Sequence, residues 1–416
     1  MKKVAVSFLL GLVFFAACTS DVNKELKSQA LEAIEKGDYD LAISHLEQGL
    51  QKKPKDAELH YLLGQAYREL QFKDGSQINQ LNLEMGEKAS AEFKKAIEIS
   101  PDYKGRKFVV GPYTKIQSIW GAIAMAYVEA GDIDAAVNAF KRGREEGGYY
   151  PAIMEYNRNI MASCEPNAIL FTNGDNDTYP MWYLQLVDGY RKDINVVNLS
   201  LLNVPWYIKQ LKNTYPFGDN RVSMNLTEEE IDVLKPQKWQ TQTVVIPGSD
   251  TENEISWSVA PTINDVAVRV QDVMVMQIVH VNKWQRPVYF SCTVAQVNKI
   301  NLNPYLSLEG LVMRLVSEKQ DISVDRLQKN CFETYTYEGV NDKRFQYIDE
   351  LHSMYQNYRA GFMLLADFYS REGDLAEVAK TIEFMNAKLP QEKYPWANAK
   401  QKKYADSLLR KALKGE

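Results

Sequence analysis

Residues 173–177 read Asn-Gly-Asp-Asn-Asp and follow, after Thr172, the apolar run Ala168-Ile169-Leu170-Phe171. Two carboxylates two residues apart, Asp175 and Asp177, can point at one hard cation such as calcium or magnesium. A positive φ at Gly174 would turn the following amides toward an anion or a sugar hydroxyl. The same residues also suit a plain turn, in which Asp177 or Thr178 caps a helix opened by Pro180 and the Asn and Asp side chains bond their own backbone. A third use is a catalytic pair, acid and base. Asn173, Gly174, Asp175, Asn176 and Asp177 are therefore the candidate ligand-binding set, with the metal undefined, and the residues leave the three uses open. An EF-hand is excluded, because Tyr179, Pro180 and Leu186 occupy the places of a ligand, the turn glycine and the bidentate acid. The echo of the DxD element of sugar-nucleotide transferases is a three-residue match of low specificity.

No other stretch carries a stronger chemical signature. His45, His60, His280 and His352 are isolated along the chain, and His45 and His60 lie on helical repeats where packing or solvation is their ordinary role. There is no GxSxG elbow, HExxH pair, P-loop or GxGxxG, so no catalytic residue is assigned and no cofactor is expected. Glu309 is a candidate buried acid opposite Arg286 or Arg314, with a structural ion pair as the default. Trp182, Trp206, Trp239, Trp257 and Trp284 crowd the middle of the chain, where stacking on sugar rings competes with the commoner core role.

The elements that must position the loop are short and β-rich. Ala168 to Thr172 reads as a buried strand, Pro180 to Tyr190 as a helix and Ile194 to Leu199 as a second strand, which makes a βαβ unit with a parallel pair. The loop then falls beyond the carboxyl end of the first strand, where α/β sheets bind ligands. A helix is expected from Pro205, a strand over Val266 to Val270, a helix capped by Asp272 and running to about Asn282, and a strand over Pro287 to Ser291.

On either side the period changes to that of paired helices. Residues 24–54 give two amphipathic helices joined at Gly37-Asp38 and stopped by Pro54. The outline returns over 57–101, with an insertion around Gln71 to Lys88 that projects as a loop or lengthens the helices. It returns again over 119–143 and once more around Phe362 to Pro390. Small residues at close-approach positions and aromatics three or four away resemble the roughly 34-residue tetratricopeptide repeat, and the turns GDYDLA, GDIDAA and GDLAEV each place Gly then Asp between helices. The expected fold is α/β plus all-α: helical repeats over 22–150, a βαβ-containing domain over 153–320 and a C-terminal helical repeat region over 343–414. Stacked helix pairs present a groove, and such grooves hold peptides or partner proteins.

The first eighteen residues form a separate object. Lys2-Lys3, the apolar run Val4 to Phe15 and the small residues before Cys18 resemble a bacterial lipoprotein signal, because about 12 apolar residues fall short of the roughly 20 that span a bilayer. Cys18 is then the lipidated first residue, and Thr19 after it favours the outer membrane. Loss of Lys2 and Lys3 takes the formal charge of the 416-residue chain from −5 to −7, and with no basic stripe no nucleic-acid partner is expected. Cys164, Cys292 and Cys331 remain, an odd number without zinc spacing, as buried thiols or one disulfide of open pairing.

The runs SCEPNAILFTNGDNDTYPMWYLQ, INVVNLSLLNVPWYIKQLK, VMVMQIVHVNKWQRPVYFS and LNPYLSLEGLVMRL, together spanning about 153–317, resemble the soluble C-terminal region of a family of multipass Gram-negative membrane proteins related to protein O-mannosyltransferases. The resemblance implies an accessory soluble domain, since glycosyl transfer in those relatives belongs to a membrane-embedded part. Two functional expectations follow. The first is a lipid-anchored extracytoplasmic adaptor of the periplasm or outer membrane, whose repeats hold an envelope protein or peptide and whose middle domain serves glycan or glycoprotein handling. The second is a glycan-active enzyme with a carboxylate or metal site at Asp175 and Asp177.

Overall fold

The computed structural model describes residues 23–72, 78–248 and 254–415, so the leader with Cys18 and residues 73–77 of the insertion lie outside the described residues. The chain divides into a unit from Met1 to Gly148 and a unit from Tyr149 to Glu416.

The first unit is built of helix pairs. Helix α1 covers 23–36, α2 Tyr39–Lys52, α3 Ala57–Gln71, α4 Leu83–Ile99, α5 Pro112–Glu129 and α6 Ile133–Glu145. The pairs α1/α2 and α5/α6 turn by one device. Gly37 and Gly131 take φ of +77° and +79°, and the side chains of Asp38 and Asp132 then accept the amides of Leu41 and Ala135. An added Cβ at either glycine would meet nothing within 4 Å, so the left-handed backbone, and not crowding, calls for glycine. Small and aromatic residues alternate across the seams: Ala42, Leu46, Ala66, Ala89, Phe93, Ala96, Ala136 and Phe140 are all buried. Gly64 lets α3 approach α4, where an added Cβ would stand 3.1 Å from the Phe93 ring. Of the insertion, Ile78–Gln80 form a 3₁₀ turn and the residues from Leu83 onward belong to α4, with Asn82 as its cap.

The second unit opens with α7 (Pro151–Ser163) and then β1 (Ile169–Thr172), α8 (Tyr179–Leu186), β2 (Asn195–Asn198), α9 (Pro205–Asn213), α10 (Glu228–Asp232), β3 (Gln237–Lys238), β4 (Gln242–Ile246), β5 (Ile255–Val259), β6 (Ala267–Val268), α11 (Val270–Asn282), β7 (Val288–Ser291), β8 (Leu306–Leu308) and β9 (Val312–Leu315). Helices α12 (Val324–Lys329), α13 (Asp349–Glu372), α14 (Leu375–Lys388) and α15 (Ala399–Lys414) complete it. The main sheet has the order β2-β1-β7-β9-β8. Its first three strands run parallel, with Leu170 beside Val196 and Tyr289, and β9 and β8 run antiparallel. The βαβ unit read from the sequence is β1-α8-β2, and continuous burial of β1, β2 and β7 is the pattern of a sheet covered on both faces. The α13/α14 turn repeats the device of the first unit, with Gly373 at φ +77° and Asp374 accepting the amide of Glu377.

Several boundaries differ from expectation, among them the end of α8, which stops at Leu186 and not at Tyr190. The strand expected over 266–270 shrinks to Ala267–Val268, because α11 already begins at Val270. Asp272 is then the third helical residue, and its carboxylate reaches back to the amide of Arg269 at 2.9 Å, so that it secures the cap from inside the helix.

Candidate functional site

The Asn173–Asp177 loop leaves the carboxyl end of β1 and makes one 3₁₀ turn, Asp175–Asp177, before α8. Asp177 is 2% exposed. Its carboxylate turns backward and accepts the amides of Asn173 at 2.9 Å and Gly174 at 2.8 Å, and it also receives the hydroxyl of Thr293. Burial pushes this carboxyl above its ordinary value against the pull of those three donors. Two expectations about the loop change. Gly174 adopts φ −153°, extended backbone and not the positive φ anticipated, and its amide is spent on Asp177 in place of an external anion. Thr178 stands at the N-cap of α8 without capping it: its hydroxyl bonds Thr172 Oγ1 at 2.7 Å and accepts Asn198 Nδ2 at 2.9 Å. Asn176 offers its carbonyl to Asn157 Nδ2 of α7 at 2.8 Å, and Asp175, half-buried, sits at the head of the 3₁₀ turn.

Strands β1 and β7 are neighbours whose following connections leave in opposite directions, which is the crevice where open α/β sheets bind ligands. Here polar side chains from distant segments occupy it. Asn298 donates to Asn173 Oδ1 at 3.0 Å while its own Oδ1 accepts Arg269 Nη1 at 2.8 Å and Gln271 Nε2 at 3.3 Å. Gln271 in turn accepts Asn203 Nδ2 at 2.9 Å, and Arg269 pairs with Asp272 at 2.7 Å. Thr293, Asn298, Arg269, Gln271 and Asn203 have no local motif, and the nearest of them in sequence to the loop is Asn203. Only the sheet order brings them to it. Chemically the set is a closed network of donors and acceptors that holds the loop, with both Asp177 oxygens engaged. Among the described residues no group of three or more His, Cys, Asp or Glu side chains is arranged to hold a metal ion.

Several of the remaining sequence candidates have structural roles. Glu309, 2% exposed, lies 3.8 Å from Arg314, and burial raises its carboxyl despite that cation. Arg286 goes elsewhere, donating to the carbonyls of Asn167, Ala168 and Arg221 and to Asn195 Oδ1, so that it staples the entries of β1 and β2. Cys164, Cys292 and Cys331 are free thiols. Burial pushes all three up, Cys292 to about 12, which leaves them poor nucleophiles at neutral pH. Trp182 and Trp257 belong to the core, and Trp182 stacks on Phe217 at 4.5 Å.

In the first unit, a cleft of about 610 Å³ runs over α3 between α2 and α4. His60, Leu63 and Tyr67 form its floor, three and four residues apart and hence on one face of α3. Glu47, Lys55, Lys95 and Glu98 stand around it. The floor is electrostatically fixed: His60 Nδ1 meets Glu92 Oε2 at 2.5 Å, its Nε2 meets the Pro54 carbonyl at 3.0 Å, and Lys95 bonds the other Glu92 oxygen at 2.7 Å. Burial lowers the His60 pKa, but the Glu92 and Pro54 hydrogen bonds and the Glu92 charge outweigh it and the net shift is upward. Glu92 is raised by burial and lowered further by His60 and Lys95, for a net shift downward. Tyr67 donates to Glu47 at 3.0 Å, and burial followed by that bond takes its hydroxyl to about 12. Sequence spacing placed His60 on a repeat helix, yet its partner Glu92 is 32 residues away and no local pattern marks the pair.

Comparison with protein families agrees with both halves of this description. Residues 31–71 match the TPR repeat family and 117–143 the tetratricopeptide repeat family, while 153–234 and 230–334 match the family described as TMEM260-associated domain 2. The last match runs past the sheet into α12 and the turn after it, consistent with the bond from Asn330 to the Glu309 carbonyl. No curated protein is significantly similar to the chain. Among the described residues no helix is long and apolar enough to cross a membrane. The chain thus joins tetratricopeptide repeats, whose general role is protein interaction, to a segment over 153–334 that matches the family described as TMEM260-associated domain 2.

Proposed function

We propose that this protein is an adaptor that grips a segment of a partner protein in the cleft over α3, and that its leader ties it by Cys18 to the outer membrane of the cell envelope. The observation that carries the reading is the cleft itself. Its floor is fixed by bonds between helices, and Lys55 and Glu98 at its margin have their charges available to a ligand. A fixed floor lowers the ordering cost of binding. The middle domain serves the same assembly as an accessory to glycan or glycoprotein handling, a reading that rests on the resemblance of its sequence runs to the soluble region of the mannosyltransferase-related family.

The test has two arms. Lys55→Glu with Glu98→Lys reverses the available charges without touching the floor, and photo-crosslinking from the cleft should lose its partner adduct while thermal melting stays unchanged. Cys18→Ser should release the protein from the membrane fraction and abolish fatty-acid labelling. An undiminished adduct in the double variant overturns the cleft, and unchanged membrane association in Cys18→Ser overturns the anchor.

A further inference from the structure

The outer edges of β2, β8 and β5 each carry at least two bonds from the protein's own groups. Tyr207 and Tyr215 hydroxyls take the amides of Asn198 and Val196 on β2. Residues Asp321 and Ser323 bond both sides of Leu308 on β8. On β5 the carbonyls of Ser256 and Ser258 receive Tyr305 Oη and Asn301 Nδ2, each at 3.1 Å.

The outer edge of β4 carries one such bond among the described residues. Val245 stands opposite Ser256 and Thr243 opposite Ser258. Opposed residues of an antiparallel pair share one state, so the outward carbonyls of both serines place the backbone groups of Thr243 and Val245 on the outer edge too. His280 Nδ1 confirms the direction by bonding the Val245 carbonyl at 3.2 Å. The Thr243 amide, the Thr243 carbonyl and the Val245 amide remain in a row without a partner among the described residues. Thr243 is exposed, and Val245 is 39% exposed. From Trp239 to Gly248 there is no charged residue and, before Pro247, no proline, so neither charge nor proline blunts the edge.

We propose that the β4 edge receives an extended, uncharged, β-branched segment of a partner protein, which adds to the β4/β5 hairpin as its third strand. The size of the edge argues for a peptide and against a second copy of the chain. Five residues extend about 17 Å, and a contact of that length falls well short of the roughly 1,200 Å² of a stable protein–protein interface. Strand addition draws its affinity from main-chain bonds and suits a short linear segment. The absence of charge at the edge disfavours acidic or basic segments, and Thr243 and Val245 favour β-branched residues across from them. The site belongs to the second unit and does not depend on the cleft over α3.

The full chain titrated against a fluorescein-labelled Ser-Thr-Val-Thr-Val-Thr-Ser peptide should raise its polarisation saturably. The same peptide N-methylated at alternate residues, or carrying Glu in place of each Val, should bind at least tenfold more weakly. Thr243→Pro removes an outward donor that the hairpin does not use, and Val245→Lys sets a charge on the edge with the backbone intact. Each should weaken the peptide at least tenfold with circular dichroism unchanged. Were Thr243→Pro to unfold the hairpin, Val245→Lys alone decides. The proposal fails if the unmodified peptide does not bind, if N-methylation leaves binding intact, or if Val245→Lys binds like the wild type. It fails equally if sedimentation shows a dimer that Val245→Lys dissolves, which would make a second copy the occupant.

Discussion

The amide of Asn198, on the outermost strand of the main sheet, donates to the hydroxyl of Tyr207 at 2.9 Å, with Tyr207 fully buried. Tyr215 does the same for Val196 at 2.6 Å. Two phenols thus stand in for the strand that β2 lacks, and the edge is satisfied without water. Removing either hydroxyl leaves a buried amide unpaired, at a cost of about 1–3 kcal/mol. Tyr207→Phe and Tyr215→Phe should each lower the urea midpoint by a corresponding amount. A change within error in both would mean that the edge is hydrated.

Asp177 is held to be a folding residue. Asp177→Asn keeps the shape but replaces one acceptor oxygen with a donor that faces an amide, so the chain should lose about 1–3 kcal/mol of stability. Binding of a metal ion to the wild-type loop, seen by calorimetry with calcium or magnesium, together with an unchanged melting temperature in Asp177→Asn, would reverse this assignment.

The His60–Glu92 pair gives stability a definite pH window. His60 has a raised folded pKa, so its contribution is complete below the unfolded value of about 6.5 and disappears as pH rises through the folded one. Glu92 has a lowered folded pKa, so its contribution is complete above about 4.3 and is lost as pH falls through the folded value. The difference in urea midpoint between wild type and His60→Gln should be largest between these limits and shrink in alkaline buffer. A difference independent of pH from 5 to 9 refutes the charged pair.

Gly131→Ala should cost about 1–2 kcal/mol, since the new Cβ has free space but the backbone is left-handed. Gly37→Ala should match it, because the two turns share one geometry. Calorimetric melting of both variants checks this, and a neutral result at either position would show that its turn can relax.

Phe93 is fully buried and meets the Tyr61 ring edge-on at 5.3 Å. Phe93→Ala should destabilise the first unit by about 3–5 kcal/mol. Because Phe93 and Glu92 share a turn of α4, chemical shifts of the His60 ring should move as well. Loss of stability without such movement would separate core packing from the cleft floor.

Much of this architecture is legible in the chain because its causes are local. Glycine followed by aspartate sets a left-handed stop and a cap wherever it falls between amphipathic stretches, so the helix pairs at Gly37, Gly131 and Gly373 are fixed within a few residues of sequence. Hydrophobic runs of strand length around a helix likewise give β1, α8 and β2 and place the Asn173–Asp177 loop at a carboxyl end. Contacts across long separations are not written locally. Thr293 on Asp177, Asn298 on Asn173 and Glu92 on His60 depend on which elements become neighbours, and that choice is made by burial summed over the whole unit. The sequence by itself therefore determined the repeats, the crossover unit and the position of the acidic loop. Tertiary structure alone decided that Thr293 reaches Asp177, that Asn298 reaches Asn173 and which backbone groups of the outer strands find partners, because a hydrogen bond is directional and its partner is known only when the fold has brought it there.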